Sequence, residues 1–140
     1  MASEYKRAKN RAWKWFSLYI RARDCIKTTG SISRGKCVTC GRTFRLKELQ
    51  AGHFAQGRSC AVLFNELGVN AQCEQCNIRA HGRLDEYSKY MYNTYEKEVV
   101  NGILNSKWSK VKFSRNDLDN IAEKYRKKYN ELVEKYGEPE

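Results

Sequence analysis

Four of the six cysteines form two Cys-x-x-Cys pairs, Cys37 with Cys40 and Cys73 with Cys76. Two such pairs can supply four thiolates to one tetrahedral zinc ion, an arrangement typical of structural zinc sites. A site closed by four thiolates has no coordination position left for water or substrate. We therefore expect one Zn²⁺ that stabilises the fold, and any catalytic metal must bind elsewhere.

Three other side chains near the cysteine pairs could do chemistry: His53, Asn77 and His81. Asn77 directly follows Cys76, so bound zinc would fix its position. His81 comes four residues later, on the same face as Asn77 if a helix begins there. Imidazole can accept a proton from water or ligate a metal, and an Asn oxygen can ligate a cation. The alternatives are structural or exposed histidines and an Asn77 that only caps the helix.

Apolar periodicity predicts the elements that position these side chains. A strand runs to His53, residues 69–72 form a returning strand, and a helix begins at Asn77. The apolar residues of the first strand are Phe44, Leu46 and Leu49. The apolar face of the helix consists of Leu84, Tyr87, Met91 and Tyr95.

The predicted fold class is α+β, with a single domain over residues 1–140. A basic N-terminal helix over residues 4–28 precedes the zinc-clipped core at residues 36–101, and a C-terminal helix covers residues 114–136. The order of hairpin, knuckle and helix in the core resembles the layout of the ββα-metal (His-Me finger, HNH-like) nucleases.

In that layout a histidine on the first strand faces the start of the helix and takes a proton from the water that attacks a phosphodiester. A divalent cation held by side chains at the helix start stabilises the leaving oxygen. The resemblance therefore implies that His53 is the general base, and that Asn77 and His81 ligate a catalytic Mg²⁺ or Mn²⁺.

The net charge of +11 is concentrated near the N-terminus, because residues 1–36 carry ten Lys or Arg against two acidic residues. A focused positive field favours a polyanion, and nucleic acid is the default partner. The predicted DNA-binding residues are Lys6, Arg7, Lys9, Arg11, Lys14, Arg21 and Arg23. The alternative is a solvated basic helix, and its aromatic residues either pack in the core or stack on bases.

The last predicted helix has apolar residues spaced by about 3.5 positions. They are Leu118, Ile121, Tyr125, Tyr129, Leu132 and Tyr136. Such a stripe forms either a seam between two chains or a packing face on the domain's own core.

No apolar run approaches the roughly 20 residues that a membrane span needs, and the N-terminus is basic rather than apolar. We therefore expect a cytoplasmic protein without a membrane partner. In that compartment paired cysteines favour metal over disulfides.

Five motifs are combined over residues 11–135. They are Trp15-Phe16-Ser17-x-Tyr19-Ile20-Arg21-x-Arg23-Asp24, Cys37-x-Thr39-Cys40-Gly41, Gln50-Ala51-Gly52-His53-Phe54, Gln72-Cys73-x-x-Cys76-Asn77 and Lys107-Trp108-Ser109. The combination resembles the Rap/NinG recombination proteins of lambdoid phages. The resemblance implies a phage-encoded, structure-specific endonuclease that acts on branched DNA in the bacterial host, including Holliday junctions and D-loop-type intermediates.

The turn from Cys73 to Asn77 is also similar to the junction-resolving endonuclease VII of T-even phages, where the matching Asn binds the metal. Many ββα-metal nucleases carry an Asp or His ligand just before the general base, and here that position is Gly52. A four-way junction needs cuts in two strands related by approximate two-fold symmetry, so we expect a homodimer. The alternative functions are a general HNH nicking nuclease and a non-catalytic zinc-knuckle DNA-binding protein.

Overall fold

The computed structural model describes residues 3–57 and 59–140. The helices are α1 (Glu4–Thr29), α2 (Cys60–Leu63), α3 (Leu84–Thr94), α4 (Lys97–Asn105) and α5 (Arg115–Tyr136). The strands are β1 (Arg34–Lys36), β2 (Thr43–Arg45), β3 (Leu49–His53) and β4 (Val69–Cys73). The fold is thus mostly helical with small sheets, and both terminal helices predicted from the sequence are confirmed.

Local chemistry sets the ends of the two long helices. The Ser3 hydroxyl accepts a hydrogen bond from the Lys6 amide at the start of α1, and Gly30 ends this helix in the left-handed conformation at a φ of 80°. Ser114 and Asp117 form a reciprocal capping box at the start of α5.

The strands form two separate antiparallel hairpins. β1 pairs with β2, and β3 pairs with β4 in a register that places Leu49 opposite Cys73 and His53 opposite Val69. The predicted single strand from Phe44 to His53 is therefore wrong. A 3₁₀ turn at Leu46–Glu48 divides it, because the Glu48 carboxylate accepts a hydrogen bond from the Arg45 amide at 2.9 Å.

The predicted continuous helix from Asn77 is also wrong. A π-helical turn at Gln75–Arg79 is followed by a break before α3 begins at Leu84. His81 and Arg83 have φ values of 52° and 46°, and Gly82 between them has a φ of 91°. Three successive residues in the left-handed region cannot continue a right-handed helix. The chain therefore turns before α3.

The apolar face of α5 packs against α1 of the same chain. Leu118 is fully buried beside Ala12, and the Tyr125 ring meets the Phe16 ring edge-on with centroids 4.9 Å apart. This packing supports the alternative of a face on the domain's own core over a seam between two chains. None of the described helices is long and apolar enough to cross a membrane.

A buried ion pair joins α1 to β4. The Asp24 carboxylate accepts hydrogen bonds from the Arg23 Nε at 2.8 Å and from the Ala71 amide at 2.7 Å. The Arg23 guanidinium also donates to the carbonyl oxygens of Glu66 at 2.9 Å and Val69 at 2.8 Å. This network fixes the hairpin that carries His53 against α1.

We predict that Asp24→Ala lowers the free energy of unfolding by about 3 kcal/mol, because it leaves a half-buried guanidinium and a buried amide without their acceptor. Urea denaturation of the metal-loaded protein measures the loss. The matched control is Glu123→Ala, which removes the exposed Glu123–Arg126 pair and should cost less than about 0.5 kcal/mol. Equal losses for the two variants would contradict this role of Asp24.

Candidate functional site

The four cysteines predicted to bind zinc lie together. Their sulfur atoms are all within 4.8 Å of one another, and the Cys40 and Cys73 sulfurs are 3.9 Å apart. A tetrahedral zinc site with bonds of about 2.3 Å has sulfur–sulfur edges of about 3.8 Å. The cluster can therefore hold a metal such as zinc, and it would join the β1–β2 loop to the end of β4.

The surroundings of the cluster favour a thiolate at Cys37. Burial raises the pKa of the Cys37 thiol, but hydrogen bonds from the Thr39 hydroxyl and from backbone amides outweigh it and lower this pKa to about 6. The guanidinium groups of Arg42 and Arg83 lie beside the sulfurs of Cys40 and Cys76, and each thiol raises the pKa of its arginine. Two cations thus stand next to a site that would carry two negative charges with Zn²⁺ bound.

Strand β3 separates two environments, because successive side chains of a strand point to opposite faces. Leu49 and Ala51 face α1, where they pack with Cys25 and Phe16. Gln50 and Gly52 face the other way, toward the π-helical turn that carries Asn77.

His53 ends β3 on the α1 side, so the expectation that its ring faces the helix start after the second knuckle is wrong. The imidazole stacks on the Trp13 indole, with ring centroids 5.1 Å apart and planes inclined by 18°. The His53 Nε2 lies 3.3 Å from the Leu63 carbonyl oxygen. A carbonyl oxygen can only accept, so in the neutral ring Nε2 carries the proton and Nδ1 is the acceptor.

The protonation state of His53 suits a base. Burial lowers its pKa below the usual value, and the hydrogen bond to the Leu63 carbonyl partly offsets this effect. The ring is therefore mainly neutral at pH 7 and able to accept a proton.

His53 lines an open cavity of about 250 Å³ together with Lys9, Asn10, Trp13, Leu63 and Phe64. Lys9 also lines a neighbouring cavity of about 460 Å³, which includes Lys110 and Lys112. Lys9 is common to both cavities, and it forms with Lys110 and Lys112 a cationic wall that begins beside the histidine.

Asn77 is half-buried within the π-helical turn and is held toward β3. Its Nδ2 donates to the Gln50 Oε1 at 2.8 Å. Its Oδ1 lies 3.1 Å from the position that a Cβ atom would occupy on Gly52. The structure thus places the Asn77 amide against β3, on the face opposite to His53. Single π turns often occur at functional sites.

His81 lies in the left-handed break rather than on a helix, and its side chain is exposed. The expectation that His81 shares a helix face with Asn77 is therefore wrong. That shared face was the reason for assigning His81 to the catalytic cation, so the geometry no longer supports this ligand.

Gln72 is a polar residue of this region that the sequence did not single out. The residue is fully buried, and its Oε1 has no hydrogen-bond partner among the described residues. Leaving a buried acceptor unpaired costs about 1–3 kcal/mol. The only sequence signal for Gln72 was its place in the motif before Cys73.

The basic residues predicted to contact DNA differ in their availability. Lys6 is exposed, Lys9 lines the His53 cavity, and Lys14 lies over the Trp15 ring at 5.0 Å. Arg11 pairs with Asp119 at 3.6 Å while remaining largely exposed, and Arg7 is exposed.

The other two arginines of α1 donate hydrogen bonds to groups of the chain itself. Arg21 donates to the Ser17 carbonyl at 3.2 Å and is half-buried. Arg23 donates hydrogen bonds to Asp24 and to the carbonyl oxygens of Glu66 and Val69. Four of the five N–H groups of Arg23 are thus used within the chain, which leaves this residue less available to a phosphate than the exposed lysines of α1.

A second basic segment was missed as a candidate nucleic-acid contact. Trp108 is 76% exposed, and the Lys107 ammonium lies 5.0 Å from its ring centroid. The Lys107 backbone packs against Gly57, in the loop that follows His53. Lysines alternate with apolar residues from Lys110 to Phe113. This alternation was the signal in the sequence that could have identified the segment.

We predict one zinc per chain, because four thiolates at this spacing would repel one another without a cation. Elemental analysis of natively purified protein measures the zinc content. Removal of the metal with a chelator should increase the rate of amide hydrogen exchange across residues 36–76. Cys76→Ser should lose the metal, whereas Cys60→Ser should keep it, since Cys60 lies outside the cluster. A zinc-free native protein, or a disulfide between Cys37 and Cys40, would contradict this prediction.

The chain was compared with curated proteins, with solved structures and with family models. No curated protein and no solved structure gives a significant match to the chain. The family model of the bacteriophage lambda NinG protein matches residues 3–135, which is nearly the whole chain. The chain therefore belongs to the NinG family.

Proposed function

We propose that this protein is a divalent-metal-dependent endonuclease that cuts branched DNA, including Holliday junctions and D-loop-type intermediates, in phage recombination. The observation that carries the proposal is the environment of His53. The ring is oriented by stacking and by a carbonyl, is mainly neutral at pH 7, and lies in a cavity that Lys9 also lines. The NinG family assignment supports the recombination context.

His53 acts as the general base in this proposal. Its Nδ1 takes a proton from a water molecule, and the water oxygen forms a bond to phosphorus while a phosphodiester oxygen leaves. The leaving oxygen takes a proton from solvent, and the proton on Nδ1 returns to solvent. The Leu63 carbonyl stabilises the resulting imidazolium, because it accepts a hydrogen bond from the Nε2–H group throughout the step.

The two faces of β3 fit an in-line displacement. In such a reaction the attacking and leaving oxygens stand on opposite sides of phosphorus. His53 lies on the α1 face, and Asn77 lies on the other face beside Gly52. A phosphate across the end of β3 would then have the base on the attacking side and Asn77 on the leaving side.

Asn77 would hold the catalytic Mg²⁺ or Mn²⁺ through its Oδ1, which is a hard oxygen donor that suits such cations. When bound, the cation stabilises negative charge on the leaving oxygen. The zinc cluster holds the backbone next to Asn77, and the hydrogen bond to Gln50 orients its amide.

The proposed DNA path follows the shared cationic wall. Lys9, Lys110 and Lys112 lie along the two neighbouring cavities, and exposed Trp108 follows in the same segment. Cationic side chains track phosphates, and an exposed indole can stack on a base that is unpaired at a branch point. This surface supports branched DNA as the substrate over the alternative of a general nicking nuclease.

We also propose a homodimer, since two symmetric cuts need two active sites. The interface must lie away from the apolar stripe of α5, because Leu118 and Tyr125 are already buried against α1.

We predict that His53→Ala lowers single-turnover cleavage of a four-way junction by at least about 100-fold, the usual contribution of a general base. Junction binding should change little, because the ring is not a phosphate contact. His81→Ala, at the other histidine of the chain, should cleave at close to the wild-type rate. A His53→Ala protein that keeps its zinc and cuts at the wild-type rate would overturn the assignment.

The pH dependence of cleavage follows from the lowered pKa of His53. A base works only when unprotonated, so the rate should rise with pH, with its midpoint below the usual histidine pKa of about 6.5, and then level off. Single-turnover rates at saturating metal between pH 4.5 and 8 measure the profile. A rate still rising with unit slope above pH 7.5 would contradict a neutral His53 as the base.

Neutralising Lys9, Lys110 and Lys112 together should weaken junction binding and reduce the slope of log K against log salt by about 2–3, since fewer counterions are released. Fluorescence anisotropy across a salt series measures this slope. The control is the equal charge change at Lys47, Lys89 and Lys127, which line neither cavity. If the control set reduces the slope equally, the DNA path runs elsewhere.

A further inference from the structure

The unpaired oxygen of Gln72 is oriented by the rest of its own amide. The Gln72 Nε2 donates to the Gly82 carbonyl at 2.8 Å and to the Thr39 hydroxyl at 3.1 Å. A carbonyl oxygen cannot donate, so the Gly82 contact requires the nitrogen on that side of the amide. The oxygen must therefore point the other way, toward β3.

The oxygen occupies the space left by the missing side chain of Gly52. A Cβ atom on Gly52 would lie 2.0 Å from the Gln72 Oε1 and 3.1 Å from the Asn77 Oδ1. One point beside the strand is thus within 3.1 Å of both amide oxygens. Residue 52 must be glycine for the Gln72 amide to reach this position, because a Cβ atom would collide with it.

Two amide oxygens that lie beside the same backbone position can form a ligand pair for a hard cation. Mg²⁺ and Mn²⁺ take oxygen ligands, including amide and backbone carbonyls, together with water and phosphate oxygens. The Asn77 amide is held by Gln50, and the Gln72 amide is held by Gly82 and Thr39. Both donors are therefore oriented before any cation binds.

We propose that Gln72 Oε1 is a ligand of a divalent cation that it shares with Asn77 Oδ1, beside Gly52. The proposal deepens the proposed function, on which it rests for the identity of the remaining ligands as DNA phosphate oxygens. Both protein ligands are neutral, so the free protein binds the cation weakly and a phosphate supplies the negative charge.

The test measures Mn²⁺ binding to the zinc-loaded full chain without DNA, from the electron paramagnetic resonance signal of free Mn²⁺. Gln72→Glu and Asn77→Asp each add a carboxylate to the site and should tighten Mn²⁺ binding at least about tenfold, because affinity for such cations depends on ligand charge. Gln75→Glu is the matched control, since Gln75 is exposed on the same turn, and it should leave the affinity within about twofold of wild type. Gln72→Glu binding Mn²⁺ no more tightly than Gln75→Glu would overturn the proposal.

A second measurement uses the wild-type protein and does not depend on the folding of a variant. Mn²⁺ titration followed by ¹⁵N NMR should broaden the side-chain NH₂ resonances of Gln72 and Asn77 before those of Gln56 and Gln75. Broadening that begins at the acidic residues of α3 and spares Gln72 would contradict the proposal. Neither measurement involves cleavage. A protein that binds Mn²⁺ at Gln72 but cuts no DNA would therefore refute the proposed nuclease activity and support the proposed cation site.

Discussion

The closeness of four cysteine sulfurs is the constraint on which the central part of this fold depends, because they can all be thiolates only with a cation between them. The sulfurs of Cys37, Cys40, Cys73 and Cys76 lie within 4.8 Å of one another, a distance at which several negative charges need a cation. The hairpins are short, with three paired residues in the first and five in the second. A metal at this point would fix the end of β4 and therefore the turn that carries Asn77.

The second organising feature is the difference between the environments on the two faces of β3. One face packs on α1 and gives His53 its stacking partner, its lowered pKa and its open cavity. The other face carries Gly52, where the absence of a side chain lets two amide oxygens approach the strand. The buried pair of Arg23 and Asp24 holds these faces in place by joining α1 to β4.

Much of this arrangement could be predicted from local patterns. The cysteine spacing predicted the cluster, and apolar periodicity predicted α1, α5 and β4, because each has a long or regular signal. The positions of His53 and Asn77 next to the hairpin followed from their sequence neighbours. The cationic character of α1 also followed from composition, although Arg23 forms its hydrogen bonds within the chain.

Other features depend on contacts between distant residues and had no local signal. The break at His81 reflects three left-handed residues, only one of which is glycine. The stacking of His53 on Trp13 joins residues 40 positions apart, and the face of the hairpin on which His53 lies depends on that packing. The role of Gln72 required knowing that Gly52 stands opposite its amide.

The most direct test of the central claim is cleavage by the zinc-loaded protein of a four-way junction and of a linear duplex of matched sequence, with and without Mg²⁺. The account predicts paired cuts near the branch point of the junction, only with Mg²⁺, and little cutting of the duplex. Equal cutting of both substrates would indicate a general nicking nuclease. Tight junction binding with no cleavage in either Mg²⁺ or Mn²⁺ would contradict the account and indicate a DNA-binding protein without catalysis.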